Sequence, residues 1–159
     1  VFEDRVGVLA TPATVASRAY KNEIQGLRPT TKVFEQSCPA FVPLIEAGKL
    51  NSDSTRQIAV QYLAPLIDAN VESIILGCSH YPLLQPLLKD LVPNKVRIID
   101  PAVALVEALD DVLWKPEILN NYPLSLNNTR FCVTSEPMAF SNQIESYLGI
   151  KPEVQLISL

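Results

Sequence analysis

The chain has 159 residues, a length for one domain, or one domain and part of another. Apolar residues make up 48% and charged residues 19%, enough to build a core and too apolar for an intrinsically disordered chain. The formal net charge is −4, from 13 basic and 17 acidic residues with no Lys/Arg cluster, which points away from nucleic acid and anionic membranes. No apolar run approaches the roughly 20 residues that cross a bilayer. In chain order, the apolar run from Val6 to Ala10 predicts a buried strand. Thr11 and Pro12 then open one helical stretch to about Gln25, with Thr11 as cap, Pro12 at its first position and Gly26 as its stop. Lys32 to Ser37 predicts a second strand, centred on Val33 and Phe34. Phe41 to Ala47 predicts a short helix interrupted by Pro43. Ile58, Leu63, Leu66 and Ile67 follow helical spacing behind a cap at Ser52 or Ser54. Ser73 to Gly77 is the clearest buried strand, and Pro82 opens a helix through Leu83, Leu84, Leu87, Leu88 and Leu91. Val96 to Ile99 predicts a strand ended by Asp100-Pro101, followed by a helix from Ala102 to Trp114 and a surface loop over 115–129. Arg130 to Thr134 predicts a strand, Glu136 to Leu148 a helix closed by Gly149, and Val154 to Ile157 a last strand.

Strands thus alternate with helices, which predicts an α/β fold: a mostly parallel sheet with helices on both faces. The three cysteines, Cys38, Cys78 and Cys132, are far apart and form no Cys-x-x-Cys, which argues against a disulfide scaffold or a zinc ribbon. One histidine, His80, cannot build a His-rich metal site, so no metal is expected. The thiols read as reduced and the expected compartment is the cytoplasm, with no signal peptide. The chain starts at Val1 and not at Met, which leaves open that it is a piece of a longer protein.

Ligands of open parallel sheets bind beyond the carboxyl ends of the strands. Three segments place polar groups there: Thr11 to Thr14, Gly77 to His80, and Asp100. The second is the most informative. Gly77 permits a tight turn or a close ligand, and Cys78 and His80 follow at once, just before the helix expected at Pro82. A helix dipole and a nearby imidazolium would both favour a thiolate, the form that acts as base or nucleophile. The plain alternatives are a small buried Cys78 and a capping or core His80. Cys38 and Cys132 read as structural.

The segment Gly77-Cys78-Ser79-His80-Tyr81-Pro82-Leu83-Leu84 resembles the second catalytic-cysteine motif of bacterial glutamate racemases. Three further stretches agree in order and spacing. Val6 to Thr14, continuing through Ser17 and Tyr20, resembles the first strand and Thr-x-x-Thr turn of that family's second lobe. Cys38 to Glu46 resembles the segment carrying an acidic residue near the site, and Ile98-Ile99-Asp100-Pro101 the strand exit that leads back to the first lobe. The tail from Thr134 to Leu159 is similar to the closing strand–helix–strand. Ser79 stands where the family usually has Thr, which keeps a hydroxyl. The family's Asp-Ser-Gly turn and first catalytic cysteine have no match here.

The resemblance implies one complete lobe over residues 1–100, carrying Cys78, and the C-terminal part of a second, incomplete lobe over 101–159. The strands near 130–134 and 154–157 are then expected to lack parallel neighbours. It also implies racemisation of L-glutamate to D-glutamate for peptidoglycan synthesis by two cysteine bases, without cofactor. In that scheme Cys78 deprotonates L-glutamate, His80 sets its protonation state, and Glu46 orients His80. Ser79, His80, Thr11 and Thr14 contact the substrate; for Thr11 a helix cap is the plain alternative, compatible with that role. The implied partner is the small molecule glutamate, with a homodimer open for the complete protein and no nucleic acid or membrane. An aspartate racemase or related two-cysteine isomerase, a Cys–His nucleophilic hydrolase and a non-catalytic interaction fragment stay open.

Overall fold

A computed structural model describes residues 4–113 and 129–158. Trp114 and all but the last residue of the expected loop lie outside the described residues. The backbone forms two compact units, Val1–Ala108 and Leu109–Leu159.

The first unit is built on a four-stranded parallel sheet of β1 (Arg5–Ala10), β2 (Lys32–Ser37), β3 (Ser73–Gly77) and β4 (Arg97–Ile99), in the order β2-β1-β3-β4. Parallel neighbours need long crossovers, and helices fill them: α1 (Pro12–Ser17) and α2 (Ala19–Leu27), then α3 (Phe41–Glu46) and α4 (Asp53–Asp68), then a 3₁₀ turn (Tyr81–Leu84) and α5 (Gln85–Leu91). Helix α6 (Pro101–Leu113) follows β4. The expected α/β class is what the chain adopts.

Alternation along β1 and β3 divides the sheet into two faces. Leu9, Ile74 and Leu76 join Phe41, Ile45, Leu63, Leu66, Leu84 and Leu88 in one buried core under α3, α4 and α5. Gly7 lies on this face. A Cβ there would stand 3.1 Å from a Leu66 methyl carbon, so its bare backbone lets α4 approach the sheet. On the opposite face the register sets Ala10 beside Gly77, and Tyr20 of α2 lies over Gly77.

In the second unit, β5 (Phe131–Val133), α7 (Pro137–Leu148) and β6 (Val154–Leu156) form a parallel strand–helix–strand. Gly149 ends α7 with φ +68°, a left-handed position that glycine takes without strain. This corrects the expectation that these strands lack parallel neighbours: they pair with each other, because α7 supplies the crossover between them. Cys132 is exposed, not a buried hydrophobe, since alternation along β5 turns it outward.

Four local expectations also change. The stretch after Thr11 is not one helix: Arg18 adopts φ 54°, ψ 24° and splits it into α1 and α2. Gly26 lies inside α2 and does not stop it; the helix ends at Arg28, which leaves helical geometry (φ −144°, ψ 86°) before Pro29. Pro43 does not interrupt α3, because it sits in the first turn, where backbone N–H groups have no partner within the helix. Pro82 opens the 3₁₀ turn, and the α-helical geometry begins only at Gln85. Of the two caps open for α4, Ser52 is the one used, accepting from the Thr55 amide at 3.2 Å.

Candidate active site

The carboxyl ends of β1 and β3 lie side by side, so Thr11 and Cys78 leave neighbouring strands at matched positions. Gly77 must be bare here. A Cβ would come within 3.0 Å of the Leu9 carbonyl oxygen, 3.0 Å of Tyr20 Cε2 and 3.1 Å of Ala10 Cβ. The glycine, expected to serve a tight turn or a close ligand, is here crowded by protein atoms. Cys78 follows, half-buried at the margin of the core.

Three of the expected site residues converge. Cys78 Sγ lies 4.0 Å from His80 Nδ1, and His80 Nε2 lies 3.4 Å from Glu46 Oε1. Glu46 reaches the site as the last residue of α3, and His80 as the residue before the 3₁₀ turn. Glu46 and His80 are partly exposed, with side chains 52% and 38% accessible, so the relay opens to solvent. The imidazole thus has a thiol near one nitrogen and a carboxylate near the other, an arrangement that can orient the ring and pass a proton. The short α5 starts seven residues after Cys78, so helix-dipole support for the thiolate is weaker than expected.

An open cavity of about 520 Å³ lies over the thiol, lined by Tyr20, Gly77, Cys78, Ser79, Asp100 and Leu105 among others. Asp100 caps α6, with one carboxylate oxygen accepting from the Ala102 amide at 2.9 Å. Ser79 is exposed on the cavity wall. Thr11 and Thr14 are not among the lining residues. Thr11 caps α1, its hydroxyl 2.9 Å from that of Thr14 and 3.3 Å from the Thr14 amide. In the sequence Asp100 is marked only as a strand end, and Tyr20 only by its place in the stretch that resembles the family's Thr-x-x-Thr turn.

Burial and, second, the Cys78 charge push the Tyr20 phenol above its ordinary 10.0. Cys38 is sealed beneath the site. Its amide donates to Ala10 O at 2.9 Å, and its carbonyl accepts from the Tyr81 hydroxyl at 3.1 Å. Burial pushes the Cys38 thiol from 9.0 up to about 12. Cys38 should therefore be the last of the three cysteines to react with iodoacetamide in the folded protein. The folded state also holds this proton more tightly than the unfolded chain. The resulting stabilisation is complete below about 9 and is lost as pH rises towards about 12. Denaturant midpoints should thus fall across that alkaline window, and less steeply in Cys38→Ala; an unchanged slope would remove Cys38 as the cause.

Comparison with known proteins gives consistent matches. The family model described as Asp/Glu/Hydantoin racemase matches residues 2–109. A glutamate racemase of Synechococcus sp. (strain CC9605) is 54% identical over 154 residues, covering 96% of this chain and 58% of the relative. One of Prochlorococcus marinus (strain NATL2A) is 46% identical over 161 residues, covering 100% of this chain and 60% of the relative. Among solved structures, glutamate racemase from Francisella tularensis in complex with D-glutamate superposes with a TM-score of 0.84 at 31% identity, covering 98% of this chain and 58% of that one. The chain thus spans about three-fifths of the length of the relatives it matches. Its parallel sheet, its cysteine at a strand's carboxyl end and these matches together place the chain in the Asp/Glu/hydantoin racemase family.

Proposed function

We propose that this chain supplies one half of a glutamate racemase site, with Cys78 as one of two cysteine bases. The observation that carries the reading is the contact chain Cys78–His80–Glu46, whose thiol lines an open cavity. Racemisation removes the weakly acidic Cα proton from one face and returns a proton to the other. One rigidly held base serves one face only, so a second is needed across the substrate. Cys78 thiolate takes the proton of L-glutamate and becomes a thiol; a second thiol, outside this chain, protonates the carbanion from the opposite face and becomes a thiolate. In the reverse direction the two exchange roles. His80 receives or returns the Cys78 proton, and Glu46 stabilises the imidazolium that results. Ser79 donates to a substrate carboxylate at the cavity wall, and Thr11 and Thr14 shape the adjoining rim. Residues from 101 onward complete a second lobe that carries the other base. The protein works without a cofactor in a bacterial cytoplasm, and its D-glutamate enters peptidoglycan.

The test uses the full-length protein with L-glutamate in deuterated water and no added cofactor. The expected product is D-glutamate deuterated at Cα. A requirement for pyridoxal phosphate would overturn the reading, and a trapped acyl-thioester would favour a Cys–His hydrolase. Faster turnover of aspartate than of glutamate would keep the mechanism and change the substrate.

A further inference from the structure

We infer that Tyr20 is a positioning residue for Cys78: its ring, packed across Gly77, sets where the thiol stands in the cavity. This rests on the proposed role of Cys78 as a base.

The placement of Tyr20 is built from the sequence outward. Thr11 accepts from the Thr14 amide, Ser17 donates to the Thr14 carbonyl at 2.7 Å, and the Ala19 amide donates to Ser17 at 3.3 Å. These hydroxyls tie the end of β1 to the start of α2. Between them Arg18 takes its left-handed conformation, which redirects the chain and puts Tyr20 in the first turn of α2. Arg18 is not glycine, so this geometry carries a conformational cost that the hydroxyl chain offsets. The outcome is the ring's Cε2 against Gly77, a position with no side chain to repel it.

Gly77 is held between the Leu9 carbonyl, Ala10 and that ring. The residue after it is Cys78, so a shift of the Gly77 peptide moves the thiol directly. Tyr20 also lines the cavity beside Cys78 and Ser79, so the same ring bounds the space above the thiol. The electrostatic influence of Cys78 on the phenol agrees with this proximity. The ring, and not the hydroxyl, makes the Gly77 contact, so Phe should replace Tyr and Ala should not.

The experiment compares Tyr20→Phe and Tyr20→Ala in the full-length protein by two readings. One is the rate of Cys78 alkylation by iodoacetamide, followed by mass spectrometry from neutral to alkaline pH. The other is kcat and KM for D-glutamate formation. Tyr20→Phe should match the parent in both. Tyr20→Ala should alter the alkylation profile of Cys78 and lower kcat by about tenfold to a hundredfold, the cost attached to a misplacement of roughly 1 Å, with KM moved far less. If circular dichroism shows Tyr20→Ala to be unfolded, Tyr20→Leu takes its place under the same readings. A parental profile in the Ala variant would overturn the inference. So would Tyr20→Phe falling as far as Tyr20→Ala, which would assign the role to the hydroxyl. Lost activity with an unchanged alkylation profile would overturn it too, by placing Tyr20 on the substrate. If the parent makes no D-glutamate, the racemase reading fails, and the alkylation arm still decides the role of Tyr20.

Discussion

Replacing Cys78 by alanine is expected to cut D-glutamate formation in the full-length protein by about 10²–10⁴-fold, the usual contribution of a positioned acid or base. The side chain is half-buried and lies at the margin of the core, so losing its sulfur should leave the unfolding transition nearly in place. The loss should also be asymmetric. With Cys78 absent, the base on the other face can still remove its own α-proton, so one enantiomer should keep slow exchange with solvent while the other loses it. Separate incubations of L-glutamate and of D-glutamate in deuterated water, each followed by loss of the α-proton NMR signal, read the two directions. Equal loss of exchange for both would mean that Cys78 is needed for binding and not as one of two bases. Undiminished activity would remove it from the mechanism.

Phe41→Ala is expected to destabilise the first unit by about 3–5 kcal/mol, the range for emptying a buried phenylalanine site. That is a large part of the roughly 5–15 kcal/mol that holds a typical domain. Phe41 is fully buried, with its ring edge-on to Tyr62 at 5.1 Å and to Tyr81 at 5.2 Å. Both neighbours hold the exit of β2: Tyr81 donates to the Cys38 carbonyl, and the Tyr62 oxygen accepts from the Ala40 amide at 3.3 Å. Tyr81 is also the residue after His80. Removing the Phe41 ring should therefore loosen the relay as well as the core. Denaturant midpoints measure the first effect; Phe41→Leu, which refills most of the volume, should recover much of it. A loss below about 1 kcal/mol for Phe41→Ala would mean that the three rings do not act as one packed unit.

Much of this architecture was readable from local pattern. Apolar runs such as Val6–Ala10 and Ser73–Gly77 announce strands buried on both faces, and strand–helix alternation announces a parallel sheet. What escaped depends on partners distant in sequence. Nothing near Arg18 marks a left-handed break; it arises where α2 must turn to meet Gly77 of β3. Nothing near Pro82 separates a 3₁₀ turn from an α-helix, because the choice is made where Tyr81 reaches back to Cys38. The site followed the same division. Cys78 and His80 are two residues apart, and their strand-end context singled them out. Glu46 came from resemblance, since only α3 brings it to the imidazole. Tyr20 escaped the residue reading because its contact is with a backbone atom position, and backbone leaves no pattern in sequence.

The strand order has a consequence for synthesis on the ribosome. β1 is central in the sheet, with β2 on one side and β3 on the other, yet it precedes both in the chain. After Ala10 leaves the exit tunnel, 67 more residues (77 − 10) must follow before Gly77 can pair with it. At about 5–20 residues per second, Val6, Val8 and Leu9 wait roughly 3–13 s with one side of their strand open. During that interval the apolar run Val6–Ala10, almost wholly buried in the finished protein, keeps one unpaired edge. It is the segment on which a holding chaperone would gain the most, and where a slow codon before β3 would do the most harm.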